Sequence, residues 1–186
     1  ADIYGPSQTL MFNLIEKPKL NEDKQFIPFE RNGIDVMSIG SLVADNKALM
    51  WRGPMISQAL AQLYSNTAWN ELDYLLIDLP PGTGDIPLTL IQKIPVTTSI
   101  LVTIPHALSH YDVSKCQALF EHLDLPILGT VSNQTLYTCP SCKTSHPLFP
   151  TNDTLTLGNL PFDPSLQSIE PKAHPSFIDL AFSVTS

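Results

Sequence analysis

Between residues 33 and 133, short apolar runs alternate with segments of helical period, and this alternation limits the possible folds more than any other feature of the chain. "GIDVMSIGS" (33–41) is bounded by glycines and predicts a short strand. "GPMISQALAQLYSN" (53–66) places Met55, Ile56, Ala59, Leu60 and Leu63 on one helical face, with Pro54 in the tolerated first turn. "DYLLIDL" (73–79) predicts a buried strand, "DIPLTLIQKI" (85–94) a helix and "TTSILVTI" (97–104) a further strand. "SHYDVSKCQALFEHLD" (109–124) predicts a helix with Val113, Cys116, Leu119 and Phe120 on one face, and "PILGTVSN" (126–133) another strand. Near-continuous apolar strands separated by helices predict an α/β fold, a mostly parallel sheet with helices on both faces. At 186 residues the chain suits a single domain. Residues 134–175 are rich in Pro, Thr, Ser and Asn and predict a loop-rich C-terminal part, with one short strand near Leu155 to Leu157. "SFIDLAFSV" (176–184) predicts a closing helix packed on the sheet.

Composition removes several function classes. Ten Lys and Arg against 18 Asp and Glu give a formal charge of −8, which repels phosphate backbones and anionic lipid, so neither nucleic acid nor a membrane is expected as a partner. No apolar run approaches the ~20 residues of a membrane span, and no signal-peptide pattern is present, so a cytoplasmic location is expected. Three cysteines, two of them spaced CxxC, do not make a disulfide framework. In a reducing compartment that spacing points to a metal, cluster or redox site.

"YLLIDLPPGTGD" (74–85) carries the first candidate site. Asp78 ends an expected buried strand, at the sheet edge where doubly wound folds bind ligands and a carboxylate can hold magnesium or its water shell. Alone it would read as a turn cap. The continuation "PPGTGD" adds Gly82, Thr83 and Gly84, where glycine lets the backbone approach a phosphate and present N–H groups to it. The usual companion, a G-x-x-x-x-G-K-[ST] phosphate loop, does not occur, because no glycine in the sequence is followed by lysine.

"CPSC" (139–142) is the second candidate. Two thiolates at this spacing can share one metal ion or cluster, but they supply only half of a four-thiolate set. A two-fold dimer would complete the set on its axis. Alternatives are a zinc site with His146 as third ligand, a redox dithiol, and a turn with incidental cysteines. Cys116, on the apolar helix face, reads as a structural thiol. Asn133 after an apolar strand could pair with an adenine edge or simply end the strand. Arg52 could reach an anion, Asp2 could orient a water or a magnesium shell, and His106, His110, His122 and His174 show no ligand spacing.

Taken in order, "ADIYGPS", "WRGPM", "DYLLIDLPPGTGD", "LGTVSN" and "YTCPSC" resemble the Mrp/ApbC family of iron–sulfur cluster carriers, deviant P-loop ATPases related to MinD and ParA. The resemblance covers residues 1 to about 165. It implies a homodimeric ATPase that uses ATP and Mg2+, holds a [4Fe-4S] cluster between subunits and passes it to apo iron–sulfur proteins. By that likeness Asp78 is the Walker B acid, and Gly82, Thr83 and Gly84 form the γ-phosphate switch. Asp2 matches the aspartate that positions the attacking water, Asn133 the adenine contact, and Cys139 with Cys142 the cluster ligands within a cluster-binding region, 134–165. The phosphate loop would lie just upstream of residue 1, so the chain is expected to lack the N-terminal strand–loop–helix and to be catalytically inactive alone. The sequence departs from the family pattern after CxxC, where a glycine-rich segment is missing, and at Ser132 and Gln134 beside Asn133. Rival readings are a ParA- or MinD-type partitioning or positioning ATPase, which the acidic balance disfavours, and a non-enzymatic zinc scaffold.

Overall fold

The computed structural model describes residues 7–42, 53–80, 82, 84–149, 156–164 and 175–185. The chain divides into two compact units, Ala1–Pro95 and Val96–Ser186.

In the first unit a short helix α1 (Ser7–Met11) precedes a hairpin of β1 (Phe29–Arg31) and β2 (Ile34–Val36), paired antiparallel with Arg31 opposite Ile34. Asn32 at φ +54° and Gly33 at φ +77° make the two-residue turn, and left-handed backbone at both central positions matches the twist of the flanking strands. The expected strand at 33–41 is therefore one arm of a hairpin, followed by a 3₁₀ turn, Ile39–Ser41, whose N-cap Ser38 accepts a hydrogen bond from the Gly40 N–H. Helices α2 (Gly53–Ser65) and α3 (Asp85–Lys93) form as the apolar spacing predicts and pack on each other. Leu60, Ile86, Leu90 and Ile94 are buried.

One expectation for this unit fails. Residues 73–79 form no strand and join no ladder among the described residues. Tyr74 is 65% and Leu76 85% exposed. An apolar run becomes a buried strand only where neighbours take up its backbone groups and both faces are covered.

The second unit is built on a parallel sheet in the order β3 (Ser99–Thr103), β4 (Ile127–Ser132), β7 (Thr156–Asn159). The 16-residue helix α4 (Ala107–His122) makes the β3-to-β4 crossover that a parallel pair requires. His106 caps it, its Nδ1 accepting from the Leu108 N–H at 3.3 Å. Leu101, Val131, Phe120 and Leu125 are buried, whereas Val113, Cys116 and Leu119 on α4 are half-buried. Gly129 has φ +154°, and a Cβ built there would lie 2.7 Å from Leu157 Cγ of β7, so only glycine admits that strand at this distance. The closing helix α5 (Pro175–Thr185) packs on β7 as expected.

The stretch after residue 133 is more regular than its composition suggests. Besides β7 it holds a hairpin of β5 (Leu136–Thr138) and β6 (Ser145–Pro147), paired antiparallel. Among the described residues two ladders are parallel and two antiparallel, so the sheets are mixed, and the expected parallel arrangement holds within the second unit's three-stranded sheet.

Candidate functional site

The residues assigned from sequence fall into two groups, one in each unit. Asp2, Thr83 and Arg52 lie outside the described residues or outside those whose side chains are described.

In the first unit, Asp78 stands on the irregular segment that leads into α3 and is exposed. Its Oδ2 accepts a hydrogen bond from Gln8 Nε2 of α1 at 3.1 Å. Sequence reading missed Gln8, because nothing local links positions 70 apart. Gly82 has φ +98°, a conformation side chains rarely adopt. Gly84 is the N-cap of α3 and has no side chain to satisfy the first-turn N–H groups. A Cβ at either glycine would meet nothing within 4 Å. The carboxylate, the glycine turn and the positive end of a nine-residue helix thus follow one another along the chain. Such an arrangement can take a magnesium ion on one side and an anionic oxygen on the other.

In the second unit, Asn133 directly follows β4, the central strand of its sheet. Its N–H donates to Thr103 O at 2.7 Å, and its Oδ1 accepts from the Gln134 N–H at 2.9 Å. Gln134, at φ +55°, turns the chain out of the sheet and into the β5–β6 hairpin. The hairpin is fastened at its base: the Thr135 N–H donates to Leu160 O (3.0 Å), the Leu148 N–H to Thr135 O (3.1 Å) and the Phe162 N–H to Leu136 O (2.7 Å). The Tyr137 and Phe162 rings meet with centroids 6.3 Å apart.

Cys139 and Cys142 occupy the tip. The Cys139 N–H donates to Thr144 O and the Lys143 N–H to Cys139 O, both at 2.9 Å, and Lys143 at φ +60° closes the turn. Just below, the Thr138 and Ser145 hydroxyls lie 2.9 Å apart. The Thr144 hydroxyl, the Thr144 N–H and the Cys139 side chain hydrogen-bond to the Cys142 sulfur and pull its thiol down to about 7. Cys139 is half-buried and Cys142 exposed. Cys116, by contrast, sits half-buried on α4, where burial and then the neighbouring Asp112 carboxylate push its thiol up, consistent with a structural role.

Among the described residues no group of three or more His, Cys, Asp and Glu could hold a metal, so His146 does not complete a site with the two cysteines within one chain. A groove of about 710 Å3 along α4 and β4, lined in part by His110, Gln117, Glu121 and Gly129, contains none of the assigned residues.

An α/β fold with mixed sheets and flanking helices, together with a carboxylate and a glycine turn leading into a helix N-terminus, fits the P-loop NTPase class. The sequence model of the NUBPL iron-transfer P-loop NTPases, a ParA-type group, matches residues 1–179, and the chain belongs to this family. It is 50% identical over 151 residues to an iron-sulfur cluster carrier protein of Pseudomonas fragi, covering 80% of this chain and 53% of that protein. To the iron-sulfur cluster carrier protein of Escherichia coli K12 it is 40% identical, covering 96% of this chain and 51% of that one. The nucleotide-binding protein of Archaeoglobus fulgidus, solved in complex with ADP, superposes with a TM-score of 0.75 at 30% identity, over 91% of this chain and 70% of that one. The chain spans about half the length of the curated relatives it matches.

Proposed function

We propose that this chain is the cluster-holding part of an iron–sulfur cluster carrier ATPase. Cys139 and Cys142 of two copies bind one [4Fe-4S] cluster on a two-fold axis, and the cargo passes to apo iron–sulfur proteins. The observation that carries this reading is the hairpin tip, where a tight, fastened turn brings both sulfurs together at the surface. A centre held by two thiolates from each subunit has the four ligands that such a cluster takes.

ATP binding and hydrolysis gate loading and release. Asp78 orients the magnesium shell, and Gln8 holds that carboxylate in place. Gly82, Thr83 and Gly84 sense the γ-phosphate through backbone N–H groups at the start of α3, where charge developing in transfer to water is stabilised. Asp2 positions the attacking water. Asn133, with Oδ1 engaged by Gln134, meets the adenine through its amide nitrogen. The acidic charge of −8 fits a protein whose partners are other proteins in the cytoplasm rather than nucleic acid or membrane, and among the described residues no helix is long and apolar enough to cross a membrane.

Anaerobic reconstitution with iron and sulfide, run beside loading with zinc, tests the proposal. The expected outcome is a broad visible absorption band with four irons per dimer, abolished by Cys139→Ala. Stoichiometric zinc in a monomer, with no band from iron and sulfide, would sink it.

A further inference from the structure

Five residues are too few for a helix to hold itself, so what keeps α1 (Ser7–Met11) in place lies outside it. At one end, Gln8 Nε2 donates to Asp78 Oδ2 at 3.1 Å. At the other, the Phe12 N–H closes the last turn onto Gln8 O at 3.0 Å, and the Phe12 carbonyl accepts from Arg31 Nε at 3.1 Å. Arg31 is itself fixed. Its Nη1 donates to Glu30 O at 2.8 Å, its guanidinium carbon stands 5.7 Å from the centre of the Phe29 ring, and its backbone pairs with Ile34 across the β1–β2 hairpin. A planar fork that reaches two carbonyls at once and rests on an aromatic face is work for an arginine. The hairpin thus grips one end of a helix whose other end grips the Asp78 carboxylate, all within the first unit.

We propose that Arg31 is a positioning residue for the nucleotide site, acting on Asp78 through α1 and Gln8. The inference rests on the reading of Asp78 as the carboxylate that serves magnesium. A hydrogen-bond partner behind such a carboxylate sets its plane beforehand, so the ion meets a group already ordered. With the Phe12 carbonyl released, α1 frays and the Gln8 amide leaves Asp78 for part of the time. Affinity then falls by the fraction of time the carboxylate is held. The effect has a sign that charge alone does not give. Arg31 is a cation, so removing it would by its field alone tighten the binding of another cation, whereas loss of the strut weakens it.

The test uses the full chain and Mn2+ as the probe, its affinity followed by electron paramagnetic resonance. The proteins are wild type, Asp78→Asn, Gln8→Leu, Arg31→Met and the double variant of the last two. The site is the Mn2+ binding that Asp78→Asn removes. Gln8→Leu should weaken it about tenfold and Arg31→Met about threefold. The double variant should be no weaker than Gln8→Leu, because a residue that acts only through Gln8 then has nothing to act on. Unchanged or tighter binding in Arg31→Met would overturn the inference, as would losses that add in the double variant. Coupling is reciprocal, so wild-type protein answers the same question should Arg31→Met fail to fold. Mg2+ should shift the Arg31 Nε–H resonance, and the shift should vanish in Gln8→Leu. A resonance that ignores Mg2+, or responds equally in Gln8→Leu, overturns the inference. Mn2+ binding that Asp78→Asn leaves unchanged would defeat the reading of Asp78 itself, a result distinct from an ion that binds at Asp78 and ignores Arg31.

Discussion

At the scale of the residue, the most informative side chains are those whose surroundings differ although their chemistry is the same. Cys142 is drawn down to about 7 by the Thr144 donors, whereas burial and Asp112 push Cys116 upward. A lowered thiol is in its reactive thiolate form above its titration point and loses that form as pH falls through it. In cluster-free protein, alkylation of Cys142 by iodoacetamide should therefore be half-maximal near pH 7, with Cys116 reacting only at more alkaline pH; peptide mapping across a pH series checks this. Asp78, Gly82 and Cys139 with Cys142 stand out in the sequence as candidates because glycine turns and CxxC spacing are local signals. Gln8 and Thr144 do not. Gln8 reaches Asp78 only after the chain has folded back. Thr144 is one of many hydroxyl residues in a polar loop until the hairpin register sets it opposite Cys139.

At the scale of the element, helices α2, α3, α4 and α5 and strands β3 and β4 form where the apolar period places them, and α2, α3, α4, β3 and β4 each bury residues within their own unit. The hairpins β1–β2 and β5–β6 are not legible in that period. The Asn32–Gly33 pair is a strong hairpin signal, and weighing it would have turned a lone strand at 33–41 into the second arm of β1–β2. The 73–79 run predicts a strand that does not form, since apolar content alone supplies no ladder partner. Packing between elements also shows where one residue sets the spacing. Gly129→Ala would drive a methyl into Leu157 at a left-handed backbone position. We expect a loss of about 1–3 kcal/mol from such overpacking, read as a lower urea midpoint with unchanged slope.

At the scale of the whole molecule, the two candidate sites belong to different compact units, the nucleotide elements to Ala1–Pro95 and the cysteine hairpin with Asn133 to Val96–Ser186. Two candidate sites on different units can be probed one at a time. The apolar segment around Tyr74 and Leu76 bears on how any assembly is interpreted. Exposed apolar side chains on a segment with no ladder partner can pair with another chain, so the proposed dimer through the cargo has a rival in association through this segment. Size-exclusion chromatography under anaerobic conditions tells them apart. A dimer bridged by the cluster should collapse to monomer in Cys139→Ala, and one held by strand addition should survive that change but yield to Leu76→Lys. The same exposed leucine thus becomes a handle: charging it should remove pairing through this segment and leave the proposed pairing through the cargo to be read by itself.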